Sequence, residues 1–253
     1  MNSTHRNSFR LDQKSLLFVL LYFYAIKSTP QFFSGKKQAG KNSPGLTFFK
    51  PYLYPVSQYN YYIIYKPYGM LSQFTAEGNK PGLGSLFKFP IDCYPVGRLD
   101  ADSEGLLLLT NDKKINQKLL DPKAGHKRTY LVQVDGAVTE EAVEKLRKGV
   151  EIRVEGKTFR TLPSLAEIIE EPALAPRNPP VRFRKSIPTS WISLSLTEGK
   201  NRQVRHMTAA VGFPTLRIVR IAMEKIKLGE MKPGDVLEMT GSEVYDKLFG
   251  KAN

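Results

Sequence analysis

Four consecutive leucines, Leu106, Leu107, Leu108 and Leu109, follow directly on a polar turn, GRLDADSEG, and are closed by Thr110-Asn111-Asp112. A short apolar run between turn residues reads as a buried strand. No other stretch constrains the chain as strongly, because it fixes a piece of core and anchors the polar turn at its edge. A turn held that way can keep a reactive group in place. Within it Asp100 lies two residues after Arg98, and Gly97 and Gly105 bracket the turn. Carboxylates act as nucleophiles or bases at neutral pH, and one beside a guanidinium is held ionised.

Three plainer readings compete with a catalytic Asp100. A solvated acidic loop is one, and a surface ion pair between Arg98 and Asp100 is another. The third is calcium, because DADSEG has the D-x-D-x-x-G look of an EF-hand loop. That loop needs a bidentate Glu at its twelfth position, where this chain has Asn111. Calcium therefore fails.

The net charge of +14 over 253 residues points to a polyanionic partner, nucleic acid before membrane. One cysteine, Cys93, and three histidines exclude a disulfide framework and argue against a Cys- or His-rich metal site. The single cysteine also leans towards a reducing compartment, hence a cytoplasmic location. Residues 1–58 read as a basic, flexible extension, and residues 59–250 as the functional domain. The first sixty residues hold eight Lys/Arg against one acid, Asp12. Within them, residues 16–26 (LLFVLLYFYAI) form an apolar run too short for a membrane span, which needs about 20 residues. The run has signal-peptide length, yet Lys27 stands where a small-x-small cleavage pattern would follow.

Along residues 59–250 the pattern alternates short strands and short helices, an α+β class. Residues 61–65 (YYIIY) are strand formers halted by Lys-Pro-Tyr-Gly. A helix is expected over 113–120, stopping before Asp121-Pro122. Tyr130, Val132 and Val134 share one strand face. Thr139 caps a helix that has acids in its first turn and bases in its last, and Gly149 ends it. Residues 152–165 read as strands separated by Glu155-Gly156. Residues 172–190 carry five prolines and four bases and read as an extended loop. Arg177, Arg182, Arg184 and Lys185 are its phosphate-contact candidates. Residues 190–196 alternate as a half-buried strand. A helix over 203–211 presents Val204, Met207, Thr208 and Val211 on one face. A strand over 216–221 carries Arg217 and Arg220, and a short helix capped by Ser242 ends the chain.

GRLDADSEGLLLLTND resembles the active-site motif of the pseudouridine synthases of the small-subunit ribosomal type, in which the Asp after Gly-Arg-Leu is the nucleophile. That position is Asp100. The turn YKPYGM is similar to one near the start of the family's catalytic domain. KRTYLVQV resembles the segment whose Tyr packs on the target base, which makes Tyr130 that residue and sets Lys127 and Arg128 towards phosphate. EGKNRQVRHMTAAVGFP resembles the family's last motif, whose basic residue reaches the nucleophilic Asp; the role falls on Arg205. Lys200 and Arg202, at the turn entering that helix, and Arg98 join the RNA-contact set. The loop 172–190 with the following Trp191 narrows the resemblance to a subgroup that acts on large-subunit RNA.

The resemblance covers about residues 61–248. It implies a mixed, mainly antiparallel sheet with flanking helices and a central RNA-binding cleft. The implied reaction is isomerisation of uridine to pseudouridine in ribosomal RNA by a monomer, with no cofactor, no metal and no membrane partner. The alternative is a non-catalytic RNA-binding or ribosome-assembly protein on the same fold.

Overall fold

The computed structural model describes residues 59–250 apart from Phe183 and Lys185. The basic extension, the apolar run at 16–26 and the phosphate contact expected of Lys185 lie outside the described residues.

The leucine run forms β3 (Glu104–Thr110), buried at every position. It pairs antiparallel with β1 (Tyr61–Lys66) and, over a short stretch, parallel with β9 (Thr215–Met223). β9 continues antiparallel to β4 (Arg128–Asp135), which pairs with β8 (Thr189–Leu196) and so reaches β7 (Leu165–Ile169). Three shorter strands, β2 (Tyr94–Pro95), β10 (Ile226–Lys227) and β11 (Val236–Glu238), add to β3, β9 and β1 respectively. The sheet order is β11-β1-β3-β9-β4-β8-β7, mixed and mainly antiparallel as expected. A separate hairpin, β5 (Glu151–Val154) and β6 (Lys157–Arg160), turns at Glu155-Gly156.

Strand alternation sorts the side chains into three clusters. One face of the β1/β3 half carries Tyr61, Ile63, Tyr65, Leu106 and Leu108, joined by Val219 of β9. It is covered by α1 (Lys113–Leu120) through Ile115 and Leu119, and by α4 (Gly241–Phe249) through Val244 and Leu248. The opposite face of the same strands carries Tyr62, Ile64, Leu107 and Leu109, packed on Met70, Leu83 and Leu99. On that face, at the β4/β8 end, Val132, Val134, Ile192 and Leu194 pack on α2 (Glu140–Lys148) and α3 (Gln203–Ala210). Tyr130 touches both clusters of this face and marks the seam between them. Each fully buried leucine is worth about 1.5–3 kcal/mol of transfer from water, so the four of β3 anchor the turn that precedes them.

The helix ends follow the local chemistry. Asp112 caps α1 by accepting from the Lys114 N–H, and also accepts from the hydroxyls of Tyr61 (3.0 Å) and Tyr245 (2.7 Å). Thr139 caps α2, and Gly149 follows its end. The cap of α4 is Thr240, in a reciprocal capping box with Glu243, and not Ser242 as the sequence suggested. The Thr-x-x-Glu spacing starts the helix two residues earlier and leaves Ser242 in its first turn. Among the described residues no helix is long and apolar enough to cross a membrane.

At the parallel β3–β9 contact the backbones approach so closely that a Cβ at Gly105 would lie 2.3 Å from the Arg220 carbonyl oxygen. Beside it, Arg217 grips Glu104 through two 2.8 Å bonds, with both side chains buried. Replacing Arg217 with Met would strand a buried carboxylate, at an expected cost of about 3–5 kcal/mol in urea unfolding at neutral pH. A loss below about 1 kcal/mol would contradict that expectation.

Candidate functional site

The loop ahead of β3 is pinned on both sides of Asp100. Leu99 is buried, and Ser72 Oγ both accepts from its N–H (3.0 Å) and donates to its carbonyl (2.7 Å). The Ala101 carbonyl accepts from the Gly69 N–H at 2.8 Å, and the Ser103 N–H closes the turn on the Asp100 carbonyl at 3.0 Å. Lys66 has no exposed surface; its ammonium donates to the carbonyls of Met70 (2.7 Å), Pro67 (3.0 Å) and Ala101 (3.5 Å). Burial pushes the Lys66 amine down to about 8, against the pull of Glu104, Asp102 and Asp100. The loop backbone is thus held by β1 and the turn after it, while the Asp100 carboxylate stays 38 % exposed with no hydrogen bond among the described residues.

That carboxylate faces a cavity of about 580 Å³ at the seam between the two core clusters, within the usual size range of small-molecule sites. Tyr130 and Arg220 line it from the sheet, Arg205 and Lys200 from α3 and the turn before it, and Arg98 and Arg128 from its edge. Asp100, Tyr130 and Arg205, expected to act together, therefore share one cavity. Asp100 and Arg202 also border a second cavity of about 620 Å³, shared with Tyr68 and Lys80, so the Asp loop stands as a ridge between two hollows.

The arginine contacts differ from expectation. Arg205 donates to the carbonyl of Asp102 (2.7 Å) and lies 3.2 Å from its carboxylate; it forms no ion pair with Asp100. The cation nearest Asp100 is Arg202, at 3.7 Å, and it also forks onto Asp102 at 2.8 and 3.1 Å. The turn geometry accounts for this: two residues on from Asp100, the Asp102 side chain meets the start of α3, and Arg202 reaches over it from a left-handed N-cap (φ 52°). Burial pushes the Asp102 carboxyl up, but the Arg202 fork and the charge of Arg205 outweigh it and hold Asp102 below its ordinary value. The Arg98–Asp100 surface pair is not formed.

The other expected RNA contacts divide. Arg128 lines the cavity while donating to the carbonyls of Leu119 (2.8 Å) and His126 (3.3 Å). Lys127 is exposed, and Lys200 lies over the Phe159 ring at 4.4 Å. Arg177 is occupied within the fold: it stacks on Tyr68 at 4.2 Å and donates to the carbonyls of Pro179, Pro180 and Leu216. Arg184 pairs with Asp135 at 2.8 Å, Arg182 is exposed, and neither lines the cavity.

Sequence reasoning gave no site role to Lys66, Ser72, Asp102 or Arg220. For Arg220 a signal was present: a charge inside an apolar strand must be paired or used.

The description RNA pseudouridylate synthase belongs to the family that matches residues 60–210. Ribosomal large subunit pseudouridine synthase E of Vibrio parahaemolyticus is 51% identical over 177 residues, 70% of this chain and 72% of that protein. The enzyme of the same name from Xanthomonas axonopodis pv. citri is 47% identical, over 68% of this chain and 89% of that protein. Ribosomal large subunit pseudouridine synthase B of Bacillus subtilis is 35% identical, over 73% and 69%. A solved pseudouridylate synthase superposes with a TM-score of 0.62 at 26% identity, covering 75% of this chain and 74% of its own.

Lys66 gives the site a pH signature. Its amine is depressed to about 8 when folded, against 10.5 when free, so above pH 8 the unfolded chain holds a proton that the folded one has released. Stability contributed by this group must therefore rise with pH across that window. The stability of the native chain relative to Lys66→Met is expected to increase from pH 8 to pH 10.5 in parallel denaturation curves. A gap that stays flat would overturn the assignment.

Proposed function

The chain belongs to the RNA pseudouridylate synthase family, and on that premise we propose that it converts a uridine of large-subunit ribosomal RNA to pseudouridine with Asp100 as the acting carboxylate. The observation that carries the reading is the state of Asp100: backbone pinned, carboxylate free of hydrogen bonds among the described residues and only loosely paired with Arg202, opening on a cavity that also holds Tyr130. A carboxylate turned towards an anionic RNA has no use in binding alone. It has one in chemistry at the sugar.

A stacked uridine cannot reach Asp100, so the target nucleotide must leave its stack, at a cost of a few kcal/mol. Lys200 at the cavity and the exposed Lys127 offset that cost by contacting phosphates, and Arg98 fills the space the base vacates. Asp100 then attacks C1′ or removes a proton from C2′. On either route the C1′–N1 bond breaks and its electron pair departs on the uracil. The base turns against Tyr130, and C5 bonds to C1′ as the Asp100–C1′ bond breaks or as the abstracted proton returns to C2′. The C5 proton is then lost with Tyr130 beside it, and N1 takes up a proton. Arg202 and Arg205 fasten the loop through Asp102, which holds Asp100 in place. The large-subunit substrate is supported by relatives at 47% and 51% identity that carry that name.

Tritium release from C5-labelled uridine in unmodified large-subunit RNA is the direct measure. Asp100→Ala is expected to abolish release and to retain RNA binding; release at the native rate would remove Asp100 from the chemistry. A native chain that binds RNA but releases no tritium, from naked RNA or from precursor particles, would instead favour a non-catalytic RNA-binding protein. Lys127→Ala and Lys200→Ala are expected to weaken binding, and each to flatten the logarithmic salt slope by about 0.7–0.9, the share of one phosphate. An unchanged slope would mean that neither lysine meets phosphate.

A further inference from the structure

Arg220 lies on the floor of the Asp100 cavity and has no role in the steps above. Its side chain is 3 % exposed, its Nε donates to the Leu106 carbonyl at 2.7 Å, and its Nη2 is buried without a hydrogen-bond partner. The groups that act on its charge are the Tyr130 hydroxyl and the Arg128 guanidinium, and Lys66 feels it in turn. None of these is a carboxylate. The contrast with Arg217, three residues earlier on the opposite face and fully matched by Glu104, is direct. A buried cation without a counter-ion costs several kcal/mol, unless the functional state brings negative charge to it.

The backbone aims Arg220 at Tyr130. Pairing between β4 and β9 shifts register there: Thr129 faces Ala222, whereas Tyr130 faces Arg220, so Ile221 is an inserted residue on β9. Bulges of this kind re-aim side chains beside active sites. Without the insertion, Ile221 would stand opposite Tyr130. The charge that could reach Arg220 must also be flat. A phosphate stays at the mouth with its backbone, while a planar base stacked on Tyr130 brings carbonyl oxygens to the floor.

We infer that Arg220 is a catalytic residue whose free Nη2 donates to a carbonyl oxygen of the flipped uracil and stabilises the negative charge the base acquires when C1′–N1 breaks. The inference rests on the functional reading given above. The bond's electron pair spreads from N1 onto O2 and O4 while Asp100 takes C1′ or the C2′ proton. When C5 bonds to C1′, the charge on the base enters that bond and Asp100 is released, either as the Asp100–C1′ bond breaks or as the proton returns to C2′. The C5 proton then leaves and N1 takes up a proton, so the reaction is a net isomerisation. A fixed donor in a dry site, aimed where charge develops, is the arrangement that lowers such a barrier.

The test compares large-subunit RNA transcribed with uridine and with 5-fluorouridine, in single turnovers of the full chain, reading C-glycoside nucleoside after digestion; from 5-fluorouridine, whose C5 has no proton to lose, that product keeps its fluorine on C5. Fluorine at C5 withdraws electrons, so the fluorinated base leaves with less need of outside help. Arg220→Gln is expected to slow uridine conversion by a factor of 100 or so and 5-fluorouridine conversion at least tenfold less, with RNA binding retained. Arg220→Lys, which keeps the charge, should fall between native and Gln. Equal slowing of both substrates in both variants would overturn the inference and make Arg220 a packing residue. If Arg220→Gln does not fold, Arg220→Lys decides, since a native ratio of the two rates would overturn the inference. A native chain that converts neither RNA would bring down the functional reading itself, a result distinct from the others.

Discussion

The buried pair between Arg217 and Glu104 is the contact on which the site depends. It clamps the parallel junction of β3 and β9, where Gly105 and the Arg220 backbone nearly touch. It also reaches outward, because Arg217 Nη2 donates to the Ala175 carbonyl at 2.9 Å. From Ala175 the proline-rich segment runs to Arg177, which stacks on Tyr68; the next residue, Gly69, holds the Ala101 carbonyl. A closed circuit results: strand, ion pair, proline segment, aromatic turn, Asp loop and back to the strand. Asp100 sits inside it. Fixing a short polar loop by a circuit of contacts, with no regular structure of its own, explains how a half-exposed carboxylate can be both accessible and positioned.

The electrostatics of the loop divide the labour between two aspartates. Asp102 takes the arginines: Arg202 forks onto it and Arg205 holds its carbonyl and carboxylate. Asp100 is left with a single longer contact. A carboxylate locked in a bidentate pair would have to break that pair to react; on the proposed reading, satisfying the arginines at Asp102 leaves Asp100 available while the surrounding positive field remains. The basic residues also fall into two groups. Arg177, Arg184 and Arg128 are spent on bonds within the fold, whereas Lys127 and Lys200 keep their ammonium groups clear of acids.

Much of this was legible in the chain. The leucine run announced β3, the alternation over Tyr130, Val132 and Val134 announced β4, and the Thr139 cap with its charge gradient announced α2, because each carries a strong local signal. Short strands such as β10 and β11 carry none; two or three residues hold no period, and pairing with a neighbour creates them. The start of α4 was misread because Ser242 and Thr240 both have capping chemistry, and only the reciprocal bond to Glu243 separates them. At the site, the motif order brought Asp100, Tyr130 and Arg205 to one cavity. It could not tell that Arg205 would meet Asp102, since which of two aspartates in one turn faces a helix depends on the turn's orientation. Arg177 looked like a phosphate ligand for a similar reason: composition shows a base in a loop but not the carbonyls that loop folds around it.

The floor of the Asp100 cavity, with Tyr130, Ile218 and Arg220, lies on one continuous sheet. The cluster behind β1 and β3 and the cluster behind β4 and β8 meet at Tyr130, joined through β9 by paired strands and not by a linker. Two-lobed enzymes with a hinge can close over a substrate, whereas a sheet hydrogen-bonded across its cleft resists such a motion. On the proposed reading a uridine is then offered a seat whose floor is held by paired strands, and the unstacking that brings it there is done by the RNA.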